Sequence, residues 1–416
     1  MFLVQSLPGL PAPIDPDKAL VTLPSPQPLG KVAKNKASES YQQKTLDDAS
    51  RRAAATVDRF ALQDRALLLV PWERVARCCR YVRKQAYVEV MHSASTGRAH
   101  YSGLEICGSV WLCPVCAARI AELRRRELVD AVAACEAGGG AVLHLTFTVQ
   151  HSRQDNLKHL VKRFQKAFSR LVGHRTYRQL IRPTYGIFGT VRALEVTHGE
   201  NGWHPHNHVL VFLSRPLTEE ELGRLDVELR ALWARSAALE GLSMNQHGLT
   251  IRGSNKAAAT YVAKWGVAEE LTRAHIKKGR GTSLSPWDML RASAAGDKRC
   301  DALWREFAAV FKGRQQLVWS PGLRAVLGLL DAVSDEEAAN ALPDDARSLF
   351  TMQFSDWLLV VRYRQRGQLL NVAAAGSFDA VYGFIAQLRE WHAAYRLRRG
   401  LDKPPVIPPK QLAFAC

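Results

Sequence analysis

Trp203-His-Pro-His-Asn-His208 sets three imidazoles, His204, His206 and His208, at every second position ahead of the apolar run Val209–Leu213. Residues two apart on a β-strand share a face, so the three rings point into one small volume. Neutral imidazole is a common metal ligand. Just upstream, Gly199-Glu200-Asn201-Gly202 reads as a turn. Tyr185–Thr197 and Trp203–Leu213 are therefore predicted to form a β-hairpin. With the turn centred on Glu200 and Asn201, Glu195 falls opposite His206. His206, His208 and Glu195 are the predicted metal ligands, with His204 as a further candidate. Two imidazoles and a carboxylate leave coordination positions open, which a catalytic rather than a structural metal needs. Such a set suits Mn²⁺ or Mg²⁺ with phosphate as the remaining ligand, and does not exclude Zn²⁺. The plain alternative is a polar strand end whose histidines are unrelated to one another.

A second group lies about fifty residues on. In Ser254-Asn-Lys-Ala-Ala-Ala-Thr-Tyr261-Val-Ala-Lys264-Trp265, Ser254 or Asn255 caps an Ala-rich predicted helix. Tyr261 and Lys264 are three apart and share a helix face. A Tyr beside a Lys is common on any helix, but beside a metal it gains meaning. A tyrosine attacks phosphorus when its phenolate is stabilised or its target polarised. A divalent cation on the histidines would polarise a phosphodiester and neutralise developing charge. Lys264 would lower the tyrosine's pKa or hold a phosphate oxygen. The residues read as a metal-assisted phosphodiester transesterase working through a phosphotyrosine.

A third group is made of cysteines. Of Cys78, Cys79, Cys107, Cys113, Cys116, Cys135, Cys300 and Cys416, the pair Cys113-Pro-Val-Cys116 is a C-x₂-C knuckle with Cys107 six residues upstream. In a cytoplasmic chain such clustering points to metal rather than disulfides. Cys107, Cys113 and Cys116 are predicted to hold a structural Zn²⁺, with Cys78, or alternatively Cys79, as the fourth thiolate. Reduced, buried cysteines without metal are the competing reading.

The elements that must position these groups follow from the rest of the chain. A length of 416 residues allows two or three domains, and 47% apolar content supports substantial cores. The net charge of +18, from 57 Lys+Arg against 39 Asp+Glu, favours nucleic acid over an acidic membrane surface as partner. No apolar stretch reaches membrane-spanning length and Met1–Leu10 lacks a basic n-region, so the expected location is the cytoplasm and no membrane partner is expected. Residues 1–50, with Pro8, Pro11, Pro13, Pro16, Pro24, Pro26 and Pro28, read as a disordered Pro-rich arm. Residues 51–135 read as a basic helical and zinc-knuckle region. In it, Ala53 to about Ala86 is predicted helical, with Arg74, Arg77, Arg80, Arg83 and Lys84 on a face that is either solvated or phosphate-contacting. A helix over Ala117–Cys135 follows.

Residues 136–330 read as the domain that carries the chemistry. Ala141–Val149 is a predicted central strand with His144, Thr146 and Thr148 on one side. Asn156 to about Ile181 is a predicted amphipathic helix. After the hairpin come a helix from Thr218 to about Glu240, opened by a Thr218/Glu221 capping box, and a short strand Gly248–Arg252. Residues 331–416 read as a small C-terminal α+β extension, for origin binding or for packing. It comprises an acidic linker Ser334–Asp345, a hairpin of Asp356–Val361 and Gln368–Ala373 around Gly367, and a helix Phe378–Arg398.

Three motifs, in order, resemble those of the rolling-circle replication initiators of small plasmids, in the HUH (His-hydrophobic-His) endonuclease superfamily. His144-Leu-Thr-Phe-Thr148 is similar to the first motif, Trp203–Phe212 to the second, and Tyr261-Val-Ala-Lys264 to the third. Cys107–Cys116, running into Arg119-Ile120, and Trp304–Pro321 are also similar to segments of these proteins. The resemblance covers roughly Val75 to Gly328. It implies an α+β fold in which a central antiparallel sheet with flanking helices resembles a modified RNA-recognition fold, here with a zinc-knuckle segment and extra helical parts. It implies that His206 and His208 bind the catalytic metal. It implies that Tyr261 nicks one strand at the origin, keeps the 5′ phosphate, frees a 3′ hydroxyl as primer, and religates at termination. Origin DNA, single- and double-stranded, and the host helicase and polymerase are the implied partners. Two departures stand out. Asn207 occupies a position that is usually apolar. In one plasmid branch the nucleophile aligns with Trp265 and a partner glutamate with Tyr261; an indole cannot attack phosphorus, which leaves Tyr261. The competing functions are a single-strand transposase of the same superfamily, a non-catalytic zinc-containing DNA-binding protein, and a metal-dependent hydrolase that forms no covalent adduct.

Overall fold

The computed structural model describes residues 37–253 and 283–399, with side chains from residue 49 onward. The described residues fall into two units, one within Met1–Cys107 and Asn340–Cys416, the other within Gly108–Ala339. The first of these ends its N-terminal part at Cys107 and takes in the residues from 340 on. Among the described residues no helix is long and apolar enough to cross a membrane.

The first unit opens with α1 (Ala37–Leu69), so the expected arm of residues 1–50 is already helical from Ala37. The helix stops where Pro71 disfavours helical angles at Val70. The expected helix to Ala86 is therefore cut short. Beyond Pro71 there is one 3₁₀ turn, Arg74–Ala76. The basic residues that follow do not share a helix face. Arg80 turns inward to bond the Asp64 carboxylate, and burial followed by the nearby Arg366 charge lowers its pKa to about 10. β1 (Val88–Ser93) and β2 (Arg98–Ser102) then pair as an antiparallel hairpin.

The second unit is built on one five-stranded antiparallel sheet. Its elements are α2 (Pro114–Ala137), β3 (Ala141–Thr148), α3 (Leu157–Gly173), β4 (Ile187–Gly199), β5 (Gly202–Leu213), α4 (Glu219–Ala238), β6 (Leu249–Arg252), α5 (Pro286–Ala294), α6 (Lys298–Phe311) and β7 (Leu317–Trp319). The strand order is β6-β3-β5-β4-β7. β3 lies between two neighbours, and its apolar run is explained by cover on both faces. On one face Leu143, Leu145, Phe147, Val209 and Val211 meet Phe168 and Leu171 of α3 and Leu225 and Leu229 of α4. On the other, Val142, Val191, Leu210 and Phe212 pack with Leu128, Ala131 and Val132 of α2. Each fully buried Leu or Phe contributes roughly 1.5–3 kcal/mol, so this double cover fixes the strand register. The Thr218/Glu221 capping box opens α4 as expected. α3 is shorter than expected: it ends at Gly173, His174 is extended, and Tyr177–Ile181 form a separate wider turn.

The chain returns to the first unit with β8 (Arg347–Met352), which pairs with the other side of β1. A second, three-stranded sheet in the order β2-β1-β8 results, which the sequence did not suggest. The expected hairpin of Asp356–Val361 and Gln368–Ala373 is instead two helices, α7 (Phe354–Arg362) and α8 (Arg366–Ala373), and the chain turns at Arg364 with φ +55° rather than at Gly367. Gly367 serves helix packing instead. A Cβ there would stand 2.8 Å from Val57 Cα of α1, so its absence lets the two helices approach. α9 (Phe378–Arg398) matches its expected bounds. The acidic stretch expected to be a linker contains a short helix, Asp335–Asn340.

Candidate metal and phosphodiester site

The β4–β5 hairpin turns at Glu200 and Asn201, with Gly202 at φ +88° where a side chain would meet the Ser152 backbone. From that turn the register runs Thr197↔His204, Glu195↔His206 and Ala193↔His208. β3 adds Thr148↔His206 and Thr146↔His208, and β6 adds Thr250↔Thr146 and Arg252↔His144. Directly opposed residues share a face. One face of the sheet thus carries His204, His206, His208, Glu195, His144 and Thr146, beside the exposed Thr250 and Arg252. It is the same face that α2 covers further along, where Leu210 and Phe212 take over from the histidines.

His208 is buried and held from both sides. Its Nε2 lies 2.9 Å from Glu195 Oε2, while its Nδ1 lies 3.2 Å from His144 Nε2 and 3.3 Å from Thr146 Oγ1. The His204 and His206 rings are 4.0 Å apart between centroids, and those of His206 and His208 6.0 Å. His204 Nε2 meets Thr148 Oγ1 at 2.5 Å, and its ring stacks on His151 at 4.3 Å. Burial, and then the neighbouring His151, lower the His204 pKa to about 4, so this ring is neutral at physiological pH. Asn207 points to the opposite face, where its Oδ1 accepts from Gln165 Nε2 of α3 at 3.0 Å. Gln165 Oε1 in turn accepts from Arg192 Nη1 at 2.5 Å. The polar residue between the histidines is therefore held through its Oδ1 on the opposite face and leaves the donor set untouched. His144 and His151 are the additions that the sequence did not single out as site residues. Only the three-strand register shows that His144 stands behind His208.

Tyr261 and Lys264 lie outside the described residues. The chain leaves the described part at Gly253, directly after Arg252, and re-enters it at Ser283. There Leu284 makes a two-way backbone bridge to His198, near the hairpin turn.

Cys78, Cys107, Cys113 and Cys116 are buried, and their sulfur atoms all lie within 4.8 Å of one another, a set that could hold a metal such as zinc. Cys107 N donates to Cys78 Sγ at 3.4 Å. Cys79 stands at φ +51° with its N–H given to Glu105 O, and the cluster takes Cys78 of the adjacent pair. Cys113 and Cys116 are brought together by the first turn of α2, where Cys113 is the N-cap and Pro114 the first helical residue.

Residues 103–237 match the family model Rep_1, replication protein. This span includes Cys107–Cys116, β3 and the whole histidine hairpin. A "Protein rep" of Streptomyces lividans is 29% identical over 310 residues, which cover 58% of this chain and 67% of that protein. A "Neomycin resistance protein" of Streptomyces cyanogenus is 33% identical over 143 residues, 29% of this chain and 33% of the relative. A "Protein rep" of Bacillus amyloliquefaciens is 27% identical over 175 residues, 40% of this chain and 46% of the relative. The chain thus spans two thirds of the first relative and less than half of the other two. No solved structure matches it. These matches bear out the resemblance to plasmid replication initiators.

Proposed function

We propose that this protein nicks and rejoins one strand of origin DNA, with Tyr261 as nucleophile and Glu195, His206 and His208 as ligands of a divalent cation. The observation that carries the reading is the hairpin register, which sets Glu195 opposite His206 and within 2.9 Å of His208 Nε2. The five-stranded antiparallel sheet with helices on both faces supports an HUH, modified RNA-recognition arrangement. Two imidazoles and one carboxylate on one face fit Mn²⁺ or Mg²⁺ and leave room for phosphate oxygens. When bound there, such a cation would polarise the scissile phosphate and neutralise its developing charge.

The chain's own residues supply the rest. Tyr261 Oη forms a bond to phosphorus as the bond from phosphorus to the 3′ oxygen breaks, and the phenolic proton ends on the released 3′ hydroxyl. Lys264 holds a phosphate oxygen or lowers the phenol's pKa. Reversal of the same step rejoins the strand, because the tyrosyl phosphodiester keeps the energy of the bond it replaced. His144 acts through His208. Were Nε2 of His208 to hold the metal, its ring proton would sit on Nδ1, which faces His144 Nε2 and Thr146 Oγ1. His144→Ala is expected to weaken Mn²⁺ binding about 10–100-fold, with partial recovery in His144→Gln. Metal titration followed by electron paramagnetic resonance checks this, and unchanged Mn²⁺ affinity in the alanine variant would remove His144 from the site.

The cysteine cluster is read as a structural zinc site in the same protein. Origin DNA, a host helicase and polymerase, and a cytoplasmic location complete the proposal. The test is a denaturing gel of the protein incubated with labelled single-stranded origin DNA and Mn²⁺. A covalent adduct is expected from the wild type and none from Tyr261→Phe. The variant loses one hydroxyl and keeps its Lys and Arg side chains, so its DNA affinity and salt dependence should match the wild type. Binding lost in parallel with nicking would make Tyr261 a folding or recognition residue.

A further inference from the structure

We propose that the loop from Pro71 to Tyr87, in the first unit, is a contact surface for unpaired DNA. The inference rests on the reading of the chain as a DNA strand transferase and adds a binding surface outside the nicking site. Trp72 is 73% exposed and Tyr87 76% exposed, and Tyr81 is exposed as well. Large aromatic side chains normally go inside or to an interface, so three open ones on a single seventeen-residue loop call for a partner. The partner's charge is given by the residues between them. Arg77 lies with its guanidinium 5.0 Å from the centre of the Tyr81 ring, and Arg83 and Lys84 are exposed alongside. The carboxylates nearby are Glu105, which pairs with Arg77 at 2.5 Å, and Glu73. With Arg80 turned inward to Asp64, four basic residues against Glu73 between Pro71 and Tyr87 leave the loop's surface positive.

The frame beneath this surface is fixed. Val75 and Val82 are buried, and Cys78, at the middle of the loop, is one of the four clustered thiols. Arg83 N donates to Gly103 O at 2.8 Å, and Glu105 N donates to Tyr81 O at 2.8 Å. Aromatic rings held out by a rigid frame lose little freedom when a partner stacks on them. A strand of unpaired DNA offers what this surface lacks: open base faces for Trp72, Tyr81 and Tyr87, and phosphates for Arg83 and Lys84. A duplex keeps its base faces stacked inside and would use the cations alone.

The test measures binding of full-length protein, in EDTA so that no strand is cut, to a single strand and to a duplex of equal length over a range of salt. Trp72→Ala with Tyr87→Ala should lower single-strand affinity about tenfold or more, with duplex affinity and salt slope unchanged. Arg83→Gln with Lys84→Gln should weaken both and flatten the salt slope by roughly one for each phosphate no longer neutralised. Cross-linking of a photoreactive single strand should mark peptides that carry Trp72 or Tyr87. Thermal unfolding of the variants, all altered at exposed positions, should match the wild type and confirm that the fold is intact. Unchanged single-strand affinity in the aromatic variant would overturn the proposal and leave the surface to a protein partner. An equal loss for both DNA forms would also overturn it. The nicking reading is decided separately, by whether the wild type forms a covalent adduct.

Discussion

Replacing His206 or His208 by alanine should abolish covalent adduct formation at limiting metal, a loss of about 10²-fold or more, while DNA affinity stays near that of the wild type. The separation follows from where each energy arises. Affinity for DNA comes from cations spread over a chain of net charge +18, and these variants remove none of them. The proposed site acts on charge that develops only as the phosphodiester breaks, so its loss falls on the reaction rather than on binding. His208 should be the more sensitive position, since its ring is buried and fixed by Glu195, His144 and Thr146. Glu195→Ala leaves two imidazoles and should recover in part at raised Mn²⁺. His204→Ala should be milder, because that ring is engaged with Thr148 and His151. Adduct yields at a series of Mn²⁺ concentrations, beside binding measured in EDTA, check the whole set. Wild-type nicking by both His206→Ala and His208→Ala in limiting metal would return the histidines to a structural role.

The second large effect concerns the cysteines. Cys113→Ser should release about one zinc per chain and destabilise the fold, because a structural zinc contributes its binding free energy to folding and the variant removes one of its four thiolates. The same zinc should persist in His206→Ala and His208→Ala, which separates the two metals. Metal analysis by mass spectrometry and thermal unfolding read both outcomes. Unchanged zinc content and unchanged unfolding in Cys113→Ser would return the cluster to reduced core cysteines.

The histidine hairpin was legible in the sequence because two local signals agree there. Alternation sets one face, and the Gly199–Gly202 turn sets the register, so Glu195↔His206 could be counted from the turn outward. The Cys78–Cys107–Cys113–Cys116 set was legible through spacing, but the choice between Cys78 and Cys79 depended on backbone angles that no spacing encodes. His144 was visible as a residue and not as a partner of His208, since that pairing needs β3 and β5 aligned 64 residues apart. The sheet β2-β1-β8 was out of reach for the same reason: β8 joins it from more than 250 residues downstream of β1. The mistaken hairpin near Gly367 has a different cause. Trp357–Val361 and Leu369–Ala373 are apolar runs too short for period two and period 3.6 to be told apart. The basic run after Pro71 kept helical spacing without a helix, because a single proline outweighed the periodicity.

The most direct test of the central claim is to identify the residue that carries DNA. The adduct formed with Mn²⁺ on single-stranded origin DNA is digested with protease and nuclease, and the modified peptide is sequenced by tandem mass spectrometry. The expected result is a nucleotide joined through its 5′ phosphate to Tyr261. Attachment at any other residue, or strand cleavage with no modified peptide at all, would contradict it.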